Sequence, residues 1–441
     1  MENVIRTSSV KPGSKFAEMR DFLALWFGQL ISTVGSGMTA FALGVYVYQR
    51  TNSATDFALI FLAGMLPRVI FSPIAGVLAD RFDRRRIMII SDLGAMIGSG
   101  IAFVLAAAGH LETWQVYLVT AVTSAFSALR VPAYTATAGA LVPKKQHGRV
   151  GGMIQLNDAI GQVIAPMAAG ALISAFHMTN VLFIDLITFV VSLITLFIVV
   201  FPVMTHNTER RGSFIKDIKY GWDYLVARPG LMGLLVVFVI GNFFVGNAQA
   251  LLTPMILGFA STKVLGAIMS IAGIGMVIGG ITLSIWGGGK NRIYTILGFY
   301  ILLGFGIMLA GFVPSAWTVG IGIFLAYLSL PFIIGTTSAV LISKVAREVQ
   351  GRVFSLRVMM VAFSFMIAFV AAGPLADKVF EPLLAPNGVF ASSVGSLIGV
   401  GEGRGIGLMF VILGILAMVT ALSGFLSPHL RNVENELADA E

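Results

Sequence analysis

The sequence predicts an all-α integral membrane protein, with twelve transmembrane helices arranged as two pseudo-symmetric six-helix bundles. Three observations predict it: apolar runs long enough to cross a bilayer, basic residues gathered in alternate connections, and a short motif repeated at equivalent loops. With 57% hydrophobic residues, 11% charged residues and a mean hydropathy of +0.91, the chain cannot be solvated as an aqueous globule. A hydrocarbon core about 30 Å thick takes roughly 20 apolar residues per helix, and stretches such as 22–49 supply them. Strand alternation is absent from these runs, which argues against a barrel.

The expected spans are 22–49, 57–79, 87–109, 114–141, 150–175, 178–201, 230–257, 264–287, 293–312, 316–342, 352–377 and 405–427. Turn formers at Val313-Pro314-Ser315 and from His177 to Asn180 separate neighbouring spans. The first run is too long for a signal-peptide core and reads as a retained helix. The organisation expected is a cytoplasmic segment over 1–21, a six-helix bundle over 22–201, a linker over 202–229, a second bundle over 230–427 and a tail over 428–441.

Lys and Arg accumulate in cytoplasmic segments. With the N-terminus inside, 22 of the 29 basic residues fall in inner segments, including Arg81, Arg84, Arg85 and Arg86 after the second span. Both termini are therefore expected in the cytoplasm, with the chain in the cell's inner membrane. The net charge of +8 follows from this topology, and nucleic-acid binding is not expected.

Within the linker, Phe214, Ile218, Trp222 and Leu225 recur at helical spacing among charged residues, as in a helix lying on the membrane surface. Gly148-Arg149-Val150 opens the fifth span and Gly351-Arg352-Val353 the eleventh, which is the fifth of the second half. That repetition supports a duplicated architecture.

Gly76-Val77-Leu78-Ala79-Asp80-Arg81-Phe82-Asp83-Arg84-Arg85-Arg86 resembles the loop signature of the major facilitator superfamily, with Asp83 where glycine is usual. That acidic residue looks like the drug:proton antiporter branch containing macrolide efflux proteins. Gly161-Gln162-Val163-Ile164-Ala165-Pro166-Met167-Ala168-Ala169-Gly170 resembles the superfamily's antiporter motif, with Ala165 and Ala169 in place of glycines. Gly373-Pro374-Leu375-Ala376-Asp377, continued by Val379-Phe380-Glu381-Pro382-Leu383, is also similar to the macrolide-efflux-like branch.

The resemblance implies a proton-coupled exporter of amphiphilic small molecules working by alternating access. Siderophores, lipids and lysolipids are alternative substrates, and a non-transporting sensor or scaffold is a remote alternative. It also implies a conformational latch in which Asp80 meets the start of the eleventh span near Gly351, with Gly76 allowing close approach and Arg81, Arg84 and Arg85 tightening it against Asp83, Asp92 or Glu348. The same arginines also suit topology and anionic lipid.

Ionisable residues inside a membrane are costly and need a reason. Asp158, Arg130 and Asp185 are the candidates for proton coupling, although mutual neutralisation is a purely structural reading. No Asp or Glu occurs between Asp223 and Glu348, so an intramembrane proton carrier is expected in the N-terminal half, with Asp377 the main exception. Relatives often carry an acidic residue in the first span near Ser36, where this chain has Ser36-Gly37.

By the same resemblance the first, fourth, seventh and tenth spans line the substrate cavity. Their candidates are Gln29, Ser32, Thr33, Tyr134, Asn242, Asn247, Gln249 and Tyr327, each of which also suits a helix-packing hydrogen bond. The 33 Phe and 20 Met suit an adaptable apolar pocket and, equally, a lipid-facing surface.

Enzyme chemistry is not expected. Gly287-Gly288-Gly289-Lys290-Asn291 lacks the residues of a phosphate-binding loop, and Gly275 with Gly279 has the spacing of helix packing. With no cysteine there are no disulfides or thiolate metal sites, and no cofactor is implied. The partners expected are a small amphiphilic substrate, protons and membrane lipid, with the chain a monomer.

Overall fold

The computed structural model describes residues 19–175, 177–201, 214–289 and 291–436; the side chains of Asp80 and Asp158 lie outside the described set. The first half comprises α1 (Arg20–Thr51), α2 (Ala54–Arg81), α3 (Arg84–Ala107), α4 (Thr113–Ala140), α5 (His147–Ala175) and α6 (Met178–Ile198). A short helix, α7 (Phe214–Val226), precedes the second half. That half comprises α8 (Pro229–Leu257), α9 (Thr262–Trp286), α10 (Arg292–Phe312), α11 (Ala316–Lys344), α12 (Arg347–Leu375) and α13 (Arg404–Leu426).

Eleven of the described helices are long and apolar enough to span a membrane. The twelfth is α5, 29 residues long and carrying the apolar run Ile164–Ile173. The protein is thus all-α, twelve spans in two halves of six. Consecutive spans alternate in direction, so α1 starts and α13 ends on one face, called the terminal face; the other is the far face. Large side chains such as Ile97, Phe197, Ile285 and Trp317 lie 62%, 62%, 83% and 80% exposed around the bundle, a pattern only a hydrocarbon solvent tolerates.

Local chemistry places the connections. Asn52, with φ 51°, ends α1 in the left-handed region, and Ser53 then caps α2 by accepting from the Asp56 N–H at 3.1 Å. Asp83 caps α3 by accepting from the Arg86 N–H at 3.0 Å. The three glycines at 287–289 have φ of 75°, 89° and 76° and end α9 as a tight turn.

The eleventh span runs further than its sequence suggests. Beyond α12 the chain widens into a π-turn, Ala376–Phe380, and one more helical turn, Glu381–Leu383. Pro374 and Pro382 flank the wide turn, each removing a donor from the ladder. Glu381 is then held by the start of α13, its two carboxylate oxygens accepting from Gly403 N–H at 3.2 Å and Ile406 N–H at 2.9 Å. Arg404, which the sequence placed in an exterior connection, is 3% exposed; its Nη2 donates to the Gly311 carbonyl at 2.8 Å, satisfying the C-terminal end of α10.

The second half has one continuous apolar core, built on close glycine contacts. A Cβ at Gly306 would fall 2.5 Å from the Gly322 carbonyl oxygen and 2.8 Å from Ala326 N, so α10 and α11 touch through their backbones. Gly306→Val is expected to destabilise this half by about 1–3 kcal/mol through overpacking. Thermal unfolding in detergent checks this, and an unchanged midpoint would contradict it. In the first half the apolar packing is divided into smaller clusters, because polar side chains occupy the space between them.

The halves meet near the far face. There Gly170 of α5 approaches Gly266 of α9, so that a Cβ on Gly170 would lie 3.0 Å from the Gly266 Cα. The Phe61 and Phe369 rings meet at 34°, their centroids 5.2 Å apart, and Gln49 Nε2 donates to Thr262 Oγ1 at 3.4 Å. Toward the terminal face they separate. Phe71, Ser72, Pro73 and Ile74 are all exposed, and four consecutive residues point to every side of a helix, so this part of α2 has no close neighbour. The conformation is therefore closed at the far face and open at the terminal face.

Candidate transport site

Two buried polar clusters lie in the membrane-spanning part of the first half. In one, Asp92 of α3 is 1% exposed. Its Oδ1 lies 3.5 Å from Arg130 Nη1 of α4. Its Oδ2 accepts from Ser192 Oγ of α6 at 2.7 Å and from Gln29 Nε2 of α1 at 3.4 Å. Gln29 also donates to Ser192 Oγ at 2.8 Å. Four helices thus converge on one carboxylate.

In the second cluster Asp185 of α6 is wholly buried. Oδ2 accepts from Ser99 Oγ of α3 at 2.9 Å, and Oδ1 accepts from Ser36 Oγ of α1 at 3.3 Å and Thr188 Oγ1 at 3.4 Å. Hydroxyls, and no cation among the described residues, surround it. Each hydroxyl donates or accepts as required, so this cluster satisfies the carboxyl whether it is ionised or protonated. Asp185 also brings a carboxylate to Ser36, where the family resemblance led one to look for an acid on α1.

Close packing holds these helices in register. A Cβ at Gly35 would lie 2.1 Å from Thr188 Oγ1 and 2.9 Å from Asp185 Oδ1, and one at Gly28 would lie 2.1 Å from Thr195 Oγ1. The antiporter-like segment on α5 contributes in two directions. Gly161 meets Thr33 of α1, where an added Cβ would lie 2.6 Å from Thr33 Cγ2, while Gly170 faces the second half. Pro166 lies inside α5 between them.

Other candidates are placed as follows. Gln249 and Tyr327 line one pocket between α8, α10 and α11, with Val245, Leu303 and Ile323. Asn242 and Asn247 donate to the carbonyls of Phe238 and Phe243, at 2.7 and 2.9 Å, within their own helix. Thr33 Oγ1 bonds the Gln29 carbonyl at 2.8 Å, and Ser32 and Tyr134 are buried. Gln29 belongs to the Asp92 cluster rather than to an open wall. Asp158 follows the buried Asn157 on α5, but its side chain lies outside the described residues, as does that of Asp80 at the end of α2.

At the terminal face, Arg85 Nη2 donates to the Phe197 carbonyl at 2.9 Å, and its guanidinium lies over the Phe197 ring at 5.6 Å. A Cβ on Gly76 or on Gly351 would meet nothing within 4 Å. Neither glycine is closely packed in this conformation, while Arg84 begins α3 and Arg81 ends α2.

Sequence reasoning gave Asp92 only as a partner for the loop arginines, and it assigned Arg357 no role. Arg357 of α12 is 8% exposed; its Nη1 donates to Ser338 Oγ at 2.9 Å and its guanidinium lies 4.4 Å from the centre of the Phe238 ring. It is a buried cation in a half whose α8–α11 carry no carboxylate. That signal was present in the sequence.

A two-half bundle with a cleft open to one face, and polar clusters buried beside it, has the architecture of an alternating-access membrane transporter. The chain belongs to the Major Facilitator Superfamily, whose profile matches residues 25–369. It is 30% identical to macrolide efflux protein A of Streptococcus pyogenes over 366 residues, covering 81% of this chain and 90% of that protein. It is 23% identical to the multidrug efflux pump Tap of Mycolicibacterium fortuitum over 372 residues, 80% of this chain and 89% of the relative. Among solved structures, a bacterial homolog of the human lysosomal transporter Spinster, inward-facing and unoccupied, superposes with a TM-score of 0.70 at 14% identity, covering 93% of this chain and 97% of that one. The protein is a multi-pass membrane transporter and not an enzyme.

Proposed function

We propose that the protein exports amphiphilic small molecules of the macrolide type across the inner membrane in exchange for protons, with Asp185 as the proton carrier. The observation that carries this reading is the hydroxyl-lined burial of Asp185, set against a second half whose α8–α11 hold no Asp or Glu. The names of the similar macrolide and multidrug efflux proteins support the substrate class. The pocket carrying Gln249 and Tyr327, about 30 Å³, is too small to enclose such a molecule as it stands, but it sets two polar groups among apolar side chains, the lining an amphiphile site uses.

The excess of Lys and Arg near the terminal face makes that face cytoplasmic by the positive-inside rule, so the open cleft is the loading state for export. One proton entering supplies about 2.3 kcal/mol per 100 mV and about 1.4 kcal/mol per pH unit. With one increment of each, a neutral substrate exchanged one for one reaches a gradient of roughly a few hundredfold. The test is uptake of a labelled macrolide into proteoliposomes with and without an imposed pH gradient. Gradient-independent, purely equilibrative movement would overturn the coupling, and absence of macrolide movement alongside transport of a lysolipid would overturn the substrate class.

The loop signature ending α2 provides the terminal-face latch in this reading, with Asp80 meeting the start of α12 when the cleft closes. Asp80→Asn is expected to lower turnover at least several-fold while macrolide binding stays within about twofold, because it alters the balance of conformations and leaves the pocket intact. Wild-type turnover in that variant would contradict the latch.

A further inference from the structure

The segment that closes α2, Gly76-Val77-Leu78-Ala79-Asp80-Arg81, has a second copy closing α12: Gly373-Pro374-Leu375-Ala376-Asp377-Lys378. Both read glycine, any residue, leucine, alanine, aspartate, base. The two helices belong to different halves, run antiparallel and pack together. Each copy therefore sits at the C-terminal end of its own helix, beside the N-terminal end of the other, and the two copies lie at opposite faces of the membrane.

At the far face the second copy is engaged. Asp377 Oδ2 accepts from Ser53 Oγ at 2.8 Å and Thr55 N–H at 2.9 Å, and Oδ1 accepts from Ala54 N–H at 3.0 Å. One carboxylate thus satisfies the first N–H groups of α2, where the helix dipole is positive. Gly373 makes the approach possible: a Cβ there would lie 2.3 Å from Thr55 Cα and 2.8 Å from Thr55 N. Four residues beyond Asp377, Glu381 is fixed to the first turn of α13, so the carboxylate is carried on a segment tied firmly to the second half. The wide turn at Ala376–Phe380 lets both acids reach their separate partners.

We propose that Asp377 is a positioning residue for transport, holding the far face shut while the cleft is open to the terminal face. Its contacts join two backbone amides and a hydroxyl of one half to a side chain of the other, across 322 to 324 residues of sequence. They can exist only while α2 and α12 touch at that face. The half-buried carboxylate and the α2 N–H groups lie near a membrane surface, where water replaces each partner on opening, so the latch releases without stranding a buried charge. The first copy is the reciprocal device at the terminal face; that half of the proposal rests on the Asp80 reading given above. Gly76, with open space where Gly373 is in contact, fits a latch that is apart in this conformation.

The chain has no cysteine, so pairs of spin labels can be introduced directly. Labels at His110 and Val389 report the far face, and labels at Val200 and Ile285 the terminal face. Distance distributions in proteoliposomes are expected to show a closed far face in the unsubstituted protein. Asp377→Asn shifts the ratio of the two conformations about tenfold toward a terminal-face-closed state, Gly373→Ala shifts it the same way, and Asp377→Glu restores part of the wild-type ratio. A purely structural role would lower the yield of folded protein without moving that ratio. Unchanged distributions in both Asp377→Asn and Gly373→Ala overturn the proposal. Asp80→Asn is expected to shift the ratio oppositely; if only that variant has no effect, the terminal-face latch fails and the assignment of Asp377 stands.

Discussion

Asp185→Asn is expected to abolish pH-driven accumulation of a macrolide in inside-out vesicles, reducing a gradient of roughly a few hundredfold to about unity. Exchange of labelled for unlabelled substrate should continue. The amide cannot bind and release a proton, yet it presents one donor and one acceptor group to the hydroxyls that surround the carboxyl, Ser36, Ser99 and Thr188. Folding and conformational exchange are thus preserved while proton exchange is lost. Accumulation assays with and without an imposed gradient, paired with counterflow, check both halves of the expectation. Retention of gradient-driven accumulation would move the carrier elsewhere, with Asp158 and Asp92 the next candidates in the first half.

Arg130→Met is expected to be the most damaging single change in that half. It leaves Asp92, 1% exposed, without its cation, and breaking one partner out of a buried pair costs about 3–5 kcal/mol. Ser192 and Gln29 still donate to Oδ2, which places the loss toward the lower end of that range. Removing both charges, as in Asp92→Asn with Arg130→Met, should recover much of the stability, because neither change then strands a buried charge. Thermal unfolding of the two single variants and the double variant in detergent forms the cycle. Additive losses in the double variant would contradict the pairing. Transport should fall sharply in Arg130→Met and should not return with stability in the double variant if the pair also helps move α1, α3, α4 and α6 together.

The spans were legible in the sequence because lipid leaves few choices: every crossing segment must be long, apolar and helical. The amphipathic helix at 214–226 was legible from its period for the same kind of reason. The polar clusters were legible only in part. Asp185 and Arg130 stood out as charges in apolar runs, but Asp92 lies two turns into α3 behind four arginines and read as a partner for them. Its partners Gln29, Arg130 and Ser192 come from three other helices, 63 residues away for Gln29 and 100 for Ser192, and no local pattern brings them together. Asp377 was visible as a motif residue, whereas its role depends on Ser53, Ala54 and Thr55 in the other half. Helix periodicity gives the face on which a residue lies. It does not tell which remote helix covers that face, and that information is what turns a list of buried polar residues into a site.

The coupling itself is tested most directly by running it backwards. Proteoliposomes loaded with a pH-sensitive dye receive an outwardly or inwardly directed macrolide gradient, with no initial pH difference and the membrane potential clamped. Substrate moving down its gradient should drive protons the opposite way in the unsubstituted protein, and Asp185→Asn should move substrate with no accompanying pH change. Macrolide flux without proton movement in the unsubstituted protein, or an equal proton signal from Asp185→Asn, would contradict Asp185-mediated exchange.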